Sequence, residues 1–304
     1  PTLGGLLIAL GGDTDGWRLI FWINIPLVAI VIALAAWLLP NTREKSRRRL
    51  DLDPVGVLLF ALTILALMWP FLFTTGSPDD NPNRWWLLVA SVVFAAAFVF
   101  WERRYADRGR MPLMPFSIFS LSSYRNGVLI STAYFSAVPA MFLLGTLFLQ
   151  GGLGLAPVFA GMVTIGFAVA SACSSWIGGN LVTRLGRPLV VWGILGMVAT
   201  AGGLVLVALF TAPEWTPWAM AAVMVFGGFA GGLVISPNQT LTLADIPVRS
   251  GGVAGSVGQL GQRIGTAVGT AIALALFYAT VYREQGTVDD TVVLYHDAYA
   301  SGMI

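Results

Sequence analysis

Apolar residues in this chain fall in long runs separated by short polar stretches. The runs cover roughly 19–39, 54–73, 85–101, 127–149, 157–181, 188–210, 217–243 and 252–282. Most approach or exceed the ~20 apolar residues that cross about 30 Å of hydrocarbon as a helix; 85–101 is at the short limit. Shorter pieces at 1–10 and about 297–304 read as partial helices. The ~10-residue alternation of a membrane β-barrel is missing from the sequence. The pattern predicts an all-α, polytopic membrane protein.

Local signals refine these limits. Asp53-Pro54 reads as an N-cap followed by proline at the first helical position. Trp85-Trp86 and Trp101 sit at the ends of their run, where interfacial aromatics belong. Pro112 and Pro115 keep Met111–Tyr124 from forming one plain helix, and this half-apolar stretch suits the membrane surface. Pro139 predicts a kink in mid-span. Ser236-Pro237-Asn238-Gln239 interrupts the run 217–243, where a freed carbonyl and two amides need partners; such a helix lines a wet cavity or hydrogen-bonds its neighbours. Gly227-Gly228 with Gly231-Gly232 reads as packing or flexibility, and Gly255, Gly258, Gly261, Gly265 and Gly269 make faces for close helix contact.

Composition agrees with the pattern: 57% of residues are hydrophobic and 11% charged, against about 25% charged in soluble domains. The net charge of +2 matters less than where the charges lie. Of 17 Lys and Arg residues, 13 lie in alternate loops: Arg43 to Arg49, Arg103 to Arg125, Arg184 with Arg187, and Arg249. Basic residues favour the cytoplasmic side, so the loops 41–53, 102–126, 182–188 and 244–251 are expected inside. The turn Asp13–Arg18 and the stretch Arg283–Ala300 are then outside. The sequence carries no basic segment before its first apolar run, so no cleavable signal is expected.

Candidate chemistry is sparse. The single histidine, His296, reads as an exposed loop residue, and Asp289-Asp290 as a solvated loop. Cys173 reads as a small packing residue. No catalytic residue, metal ligand or cofactor site is predicted. The middles of the spans hold no Asp or Glu. Arg263 is the exception among charges, about 16 Å along a helix that starts near Gly252, with Gln259 and Gln262 beside it. It faces a cavity, or it snorkels to the surface.

The order and spacing of several motifs carry a resemblance. Trp17-Arg18-x-Ile20-Phe21-x-Ile23-Asn24-x-Pro26 resembles the turn after the fifth helix in the fourteen-helix drug:proton antiporters of the major facilitator superfamily. Pro1-x-x-Gly4-Gly5 is similar to the end of that family's antiporter motif. Leu149-Gln150 with Gly154, Pro157 and Ala160-Gly161 resembles a further family stretch. Gly179-Asn180-Leu181-Val182-Thr183-Arg184-Leu185-Gly186-Arg187 resembles the superfamily's inner-loop gate motif, with Thr183 where Asp is usual. Pro247, Gly252, Gly255, Gln262-Arg263 and Gly265 to Gly269 resemble the penultimate helix.

The resemblance implies a major-facilitator-type bundle entered inside helix five and left within the last helix. Residues 1–39 would end the N-terminal bundle, 40–126 would hold two inserted helices, and 127–304 would form the C-terminal bundle. It implies export of hydrophobic or cationic drugs in exchange for protons, by a monomer in the cell membrane. The implied partners are a small-molecule substrate, protons and the bilayer, with no nucleic acid. Arg263, Gln259, Gln262, Asn238 and Gln239 become cavity or coupling candidates. Pro1, Gly4, Gly5, Trp17, Arg18, Asn24 and Pro26 become an antiporter-motif remnant, and Gly179, Arg184, Gly186 and Arg187 an inner gate. A membrane-embedded enzyme, a receptor or a metabolite exporter are the alternatives.

Overall fold

The computed structural model describes residues 18–38, 53–73, 81–110, 112–114, 116–284 and 291–303, with Gly4, Leu7, Gly11 and Gly16. No strand occurs among the described residues. Among the described residues eight helices are long and apolar enough to cross a membrane: α1 (Arg18–Leu38), α2 (Pro54–Leu72), α3 (Trp86–Asp107), α4 (Ser122–Leu147), α5 (Pro157–Leu185), α6 (Arg187–Phe210), α7 (Thr216–Leu243) and α8 (Gly251–Glu284). A shorter α9 spans Thr291–Met303. The start of α2 and the ends of α3, α5 and α7, the last two with Arg184, Arg187 and Asp245 beside them, are called here the basic end.

α7 is the hub. α5 and α6 pack along it, α4 crosses it, and α4 pairs with α8. The core lies where these meet, around Met141 and Leu144 of α4, Phe148 just after it, Leu204 of α6, Met220 and Met224 of α7, and Phe277 of α8. The outside is apolar too: Trp176, Trp192 and Trp218 are each at least 70% exposed. Without hydrophobic drive in lipid, such helices associate through close packing of small residues. A Cβ added at Gly228 would strike the backbone of Phe167 in α5. One at Gly232 would strike Ser174, and one at Gly227 would strike Thr200 of α6. The glycine pairs of α7 therefore serve two neighbours at once.

α2 and α3 form a second pair, and α2 also touches α8. Arg84 donates to the Phe73 carbonyl, Ser91 to Thr63 O at 2.9 Å, and Trp101 to Asp53. Asp53 is the expected N-cap, accepting Gly56 N–H at 3.0 Å. α1 buries none of its residues.

Several expectations need correction. α3 runs on to Asp107, past the predicted end. α4 starts at Ser122, five residues early, because Tyr124 is anchored: its hydroxyl donates to Ala254 O at 2.8 Å. Ile118 is buried beside it, so this part of Met111–Tyr124 packs on the start of α8 rather than lying along a surface. Met111 and Pro115 are outside the described residues. α7 continues as a helix through Pro237. α9 begins at Thr291, which places His296 in a helix, its ring 5.3 Å from that of Phe148, and not in a loop. Cys173 is exposed on α5 rather than packed. Asp289-Asp290 fall outside the described residues.

Candidate functional site

The polar side chains of the bundle gather where α4, α7 and α8 meet. A cleft of about 220 Å³ is lined by Ser131, Tyr134 and Phe135 of α4, Val234, Ile235, Asn238 and Gln239 of α7, and Gln259 and Gln262 of α8. Four of the five cavity candidates read from the sequence are thus together. The helix period explains it. Gln259 and Gln262 are three apart on α8 and share a face. Asn238 and Gln239 follow Pro237 on α7.

Two of the amides are committed to structure. Asn238 donates to Gly127 O at 2.9 Å. α7 comes this close because position 127 is glycine; a Cβ there would collide with Thr242. Gln262 donates to Ser131 Oγ at 2.9 Å. The other two amides are uncommitted. Gln239 and Gln259 are exposed, and neither makes a hydrogen bond within the described residues. An amide offers both donor and acceptor, so this pair can bind a neutral polar group or an oxygen-bearing cation.

Tyr134 was not singled out from the sequence. It is 9% exposed, and its hydroxyl is buried without a partner among the described residues. The hydroxyl sits in a notch left by Gly231, whose added Cβ would be 2.6 Å away. Tyr134 also lines a larger apolar groove of about 530 Å³ with Met141, Ile194, Met197, Ile272 and Met303. It is the polar wall between an apolar space and an amide-lined one. The sequence signal, a tyrosine three residues after Ser131 in an apolar run, looks like ordinary core.

Arg263 stands apart. It is exposed on α8 and lines none of these spaces. The exposed side chains on this part of α8, at Ser256, Gln259 and Arg263, make one open face.

At the basic end a cleft of about 380 Å³ opens between α4, α6 and α7, with Arg187, Asn126 and Asp245 on its rim. Ser123 donates to Asp245 at 2.6 Å. Gly186 has φ +56°, which a residue with a side chain rarely adopts, and so makes the α5–α6 turn. A Cβ added at Gly179 would stand 3.3 Å from Ser236 Oγ of α7. Arg184 and Arg187 are exposed. Of the inner-gate candidates, one glycine makes the turn, one packs, and Arg187 alone reaches a cleft.

Near the start of α1, Asn24 donates to Ile20 O at 3.1 Å, and a Cβ added at Gly4 would stand 3.8 Å from the Ile20 side chain. Arg18 and Pro26 are exposed. Pro1, Gly5 and Trp17 lie outside the described residues.

Comparison with known proteins fits this architecture. The sequence matches the Major Facilitator Superfamily over residues 1–270. It is 30% identical to multidrug resistance protein Stp of Mycobacterium tuberculosis over 84% of this chain and 45% of that protein. Its identity to the probable actinorhodin transporter of Streptomyces coelicolor is 28%, over 84% of this chain and 44% of that one. Putative multidrug resistance protein MdtD of Cronobacter sakazakii is 30% identical over 81% of this chain and 50% of its own length. The chain spans about half the length of the curated relatives it matches.

Proposed function

We propose that this chain, which belongs to the Major Facilitator Superfamily, is part of a proton-driven exporter of hydrophobic or cationic small molecules working by alternating access. The observation that carries the reading is the α4–α7–α8 cleft, where the free amides of Gln239 and Gln259 face a space bounded by Tyr134. Membrane transporters place their substrate sites near mid-depth between repeats. A cleft of neutral hydrogen-bonding groups beside an apolar groove suits lipophilic molecules with one polar or charged end. Relatives named for multidrug resistance support the same substrate class.

In this reading, residues 1–39 belong to the N-terminal bundle, α2 and α3 are an inserted pair within 40–126, and 127–304 form the C-terminal bundle. The basic end faces the cytoplasm, and the protein works as a monomer in the cell membrane. The spans hold no acid at mid-depth, so the proton-carrying carboxylate comes from a part of the protein outside this chain.

The test is transport by the full-length protein in lipid vesicles. An imposed pH gradient should drive efflux of a lipophilic cation without ATP, and efflux should stop when the gradient is collapsed. Gln239→Ala with Gln259→Ala should raise KM several-fold at unchanged membrane abundance. Efflux that needs ATP, or that persists without a gradient, would refute proton coupling.

A further inference from the structure

Two acids are buried together at the basic end, away from the cleft. Asp53 is 3% exposed and Glu102 1% exposed. Asp53 Oδ1 accepts the Gly56 N–H that it caps. The Trp101 indole N–H donates to both Asp53 oxygens, at 3.0 and 2.8 Å. Glu102 Oε2 accepts the backbone N–H of Met114 at 3.0 Å. The other Glu102 oxygen, Oε1, is buried and receives no donor.

What Oε1 faces is Asp53. A Cβ built on Gly56 would stand 2.7 Å from Glu102 Oε1 and would also press on Asp53 Oδ2. The two carboxyl groups therefore converge on the space that a glycine leaves open. Two carboxylates are both acceptors and cannot hydrogen-bond each other. Like charges sharing a buried site favour retention of a proton.

The surrounding charges do not change this. Arg103, Arg104 and Asp107 of α3 are exposed, as is Arg125 of α4. Arg108 is exposed beyond α3, and the Arg110 guanidinium lies over the Tyr105 ring at 5.4 Å. Arg263 of α8, the helix that packs on α2, is exposed as well. The polar groups acting on Glu102 are Asp53 and the backbone N–H groups of Leu113 and Met114.

We infer that Asp53 and Glu102 form a proton-binding site in which one proton, shared between the two carboxyl groups, ties α2 and α3 to the segment that leads into α4. With the proton in place, the start of α2, the end of α3 and residues 112–114 close on one point. Without it, two negative charges share a buried site and the junction loosens. The site senses pH at the basic end and transmits it to the strap joining the α2–α3 pair to the rest of the bundle. It does not depend on the export reading, and its test does not use transport.

Infrared spectroscopy of the full-length protein in lipid bilayers reads the proton directly. The wild type should show a protonated-carboxyl carbonyl band at neutral pH that shifts in heavy water. Glu102→Gln and Asp53→Asn should each remove it. Glutamine donates to Asp53 at every pH, so the Glu102→Gln variant keeps the junction without titrating. A shared proton retained by the folded protein after the unfolded chain has released its own makes stability fall as pH rises through that range. The melting temperature of the variant should lack this slope. A wild-type-minus-variant spectrum with no such band at any pH would overturn the inference. So would a Glu102→Gln melting curve with the wild-type pH slope, or a wild-type junction stabilised by sodium or calcium in place of a proton.

Discussion

α7 and α8 each carry a run of glycines; the α7 run is packed throughout, the α8 run over only half its length. In α7, Gly227, Gly228, Gly231 and Gly232 are all buried, and an added Cβ would meet a neighbouring helix at each. In α8 the run divides. Gly261, Gly265 and Gly269 lie against Thr132 and Ser136 of α4, while Gly251, Gly252, Gly255 and Gly258 have nothing within 4 Å of an added Cβ. One sequence signal therefore has two physical meanings. Where a helix crosses at close range, glycine is a condition of assembly. At the basic end of α8 it leaves space beside the amide cleft, on the helix whose open face carries Gln259 and Arg263.

The comparison breaks most sharply under one substitution made at both kinds of position. Gly228→Ala places a methyl group against the carbonyl and Cα of Phe167, backbone atoms that cannot move without moving α5. Overpacking of this kind costs about 1–3 kcal/mol, so membrane abundance and melting temperature should fall. Gly255→Ala should leave both unchanged or raise them slightly, since alanine is favoured over glycine in a helix by about 1 kcal/mol. Equal losses at the two positions would mean that the open half of the α8 run is packed after all.

A smaller effect is expected where polar groups hold the cleft in shape. Asn238→Leu removes the donor to Gly127 O, a carbonyl inside α4, and with it one interhelical hydrogen bond worth about 0.5–1.5 kcal/mol. The melting temperature should drop by less than in Gly228→Ala, and substrate affinity should weaken because α4 and α7 separate at the cleft wall. Asn238→Asp tests the same contact differently: a carboxylate cannot donate, so it should be no better than leucine. If both variants melt like the wild type, the Asn238–Gly127 bond does not hold the crossing.

How much of this was legible in the sequence follows from the range of each interaction. Spans that are apolar on nearly every face, such as 188–210 and 217–243, declare themselves by length, and the alternation of basic loops orders them. The amide cleft was partly legible, because Gln259, Gln262, Asn238 and Gln239 are polar residues where lipid-facing residues are expected. Tyr134 was not, since an aromatic in an apolar run reads as packing. The Asp53–Glu102 pair was hidden for a different reason. Glu102 precedes Arg103 and Arg104 and reads as part of a solvated charge run. Only the fold brings Asp53 to it, and only Gly56 makes room. The start of α9 is hidden in the sequence because His296 and Asp297 look like loop residues; the fold sets the His296 ring beside Phe148 and that of Tyr295 beside Phe277.

The smallest expected effect on folding is at Arg263, and it bears on what the open face of α8 is for. The side chain is exposed, so truncating it should leave insertion and melting temperature near wild type. A guanidinium keeps its proton at working pH and cannot carry protons across the membrane itself. It can hold a nearby carboxylate or a substrate anion in the charged state. If this face closes on the rest of the protein during transport, Arg263→Ala should lower turnover by about tenfold, equivalent to roughly 1.4 kcal/mol, and Arg263→Lys should be intermediate, keeping the charge without the planar fork. Gln259→Ala, one turn away, should show a milder loss. If Arg263 only reaches for the membrane surface, lysine does so equally well and Arg263→Lys should be silent. Wild-type turnover and pH dependence in both arginine variants at equal abundance would reduce the open half of α8 to a lipid-facing surface, and the contrast with α7 to packing alone.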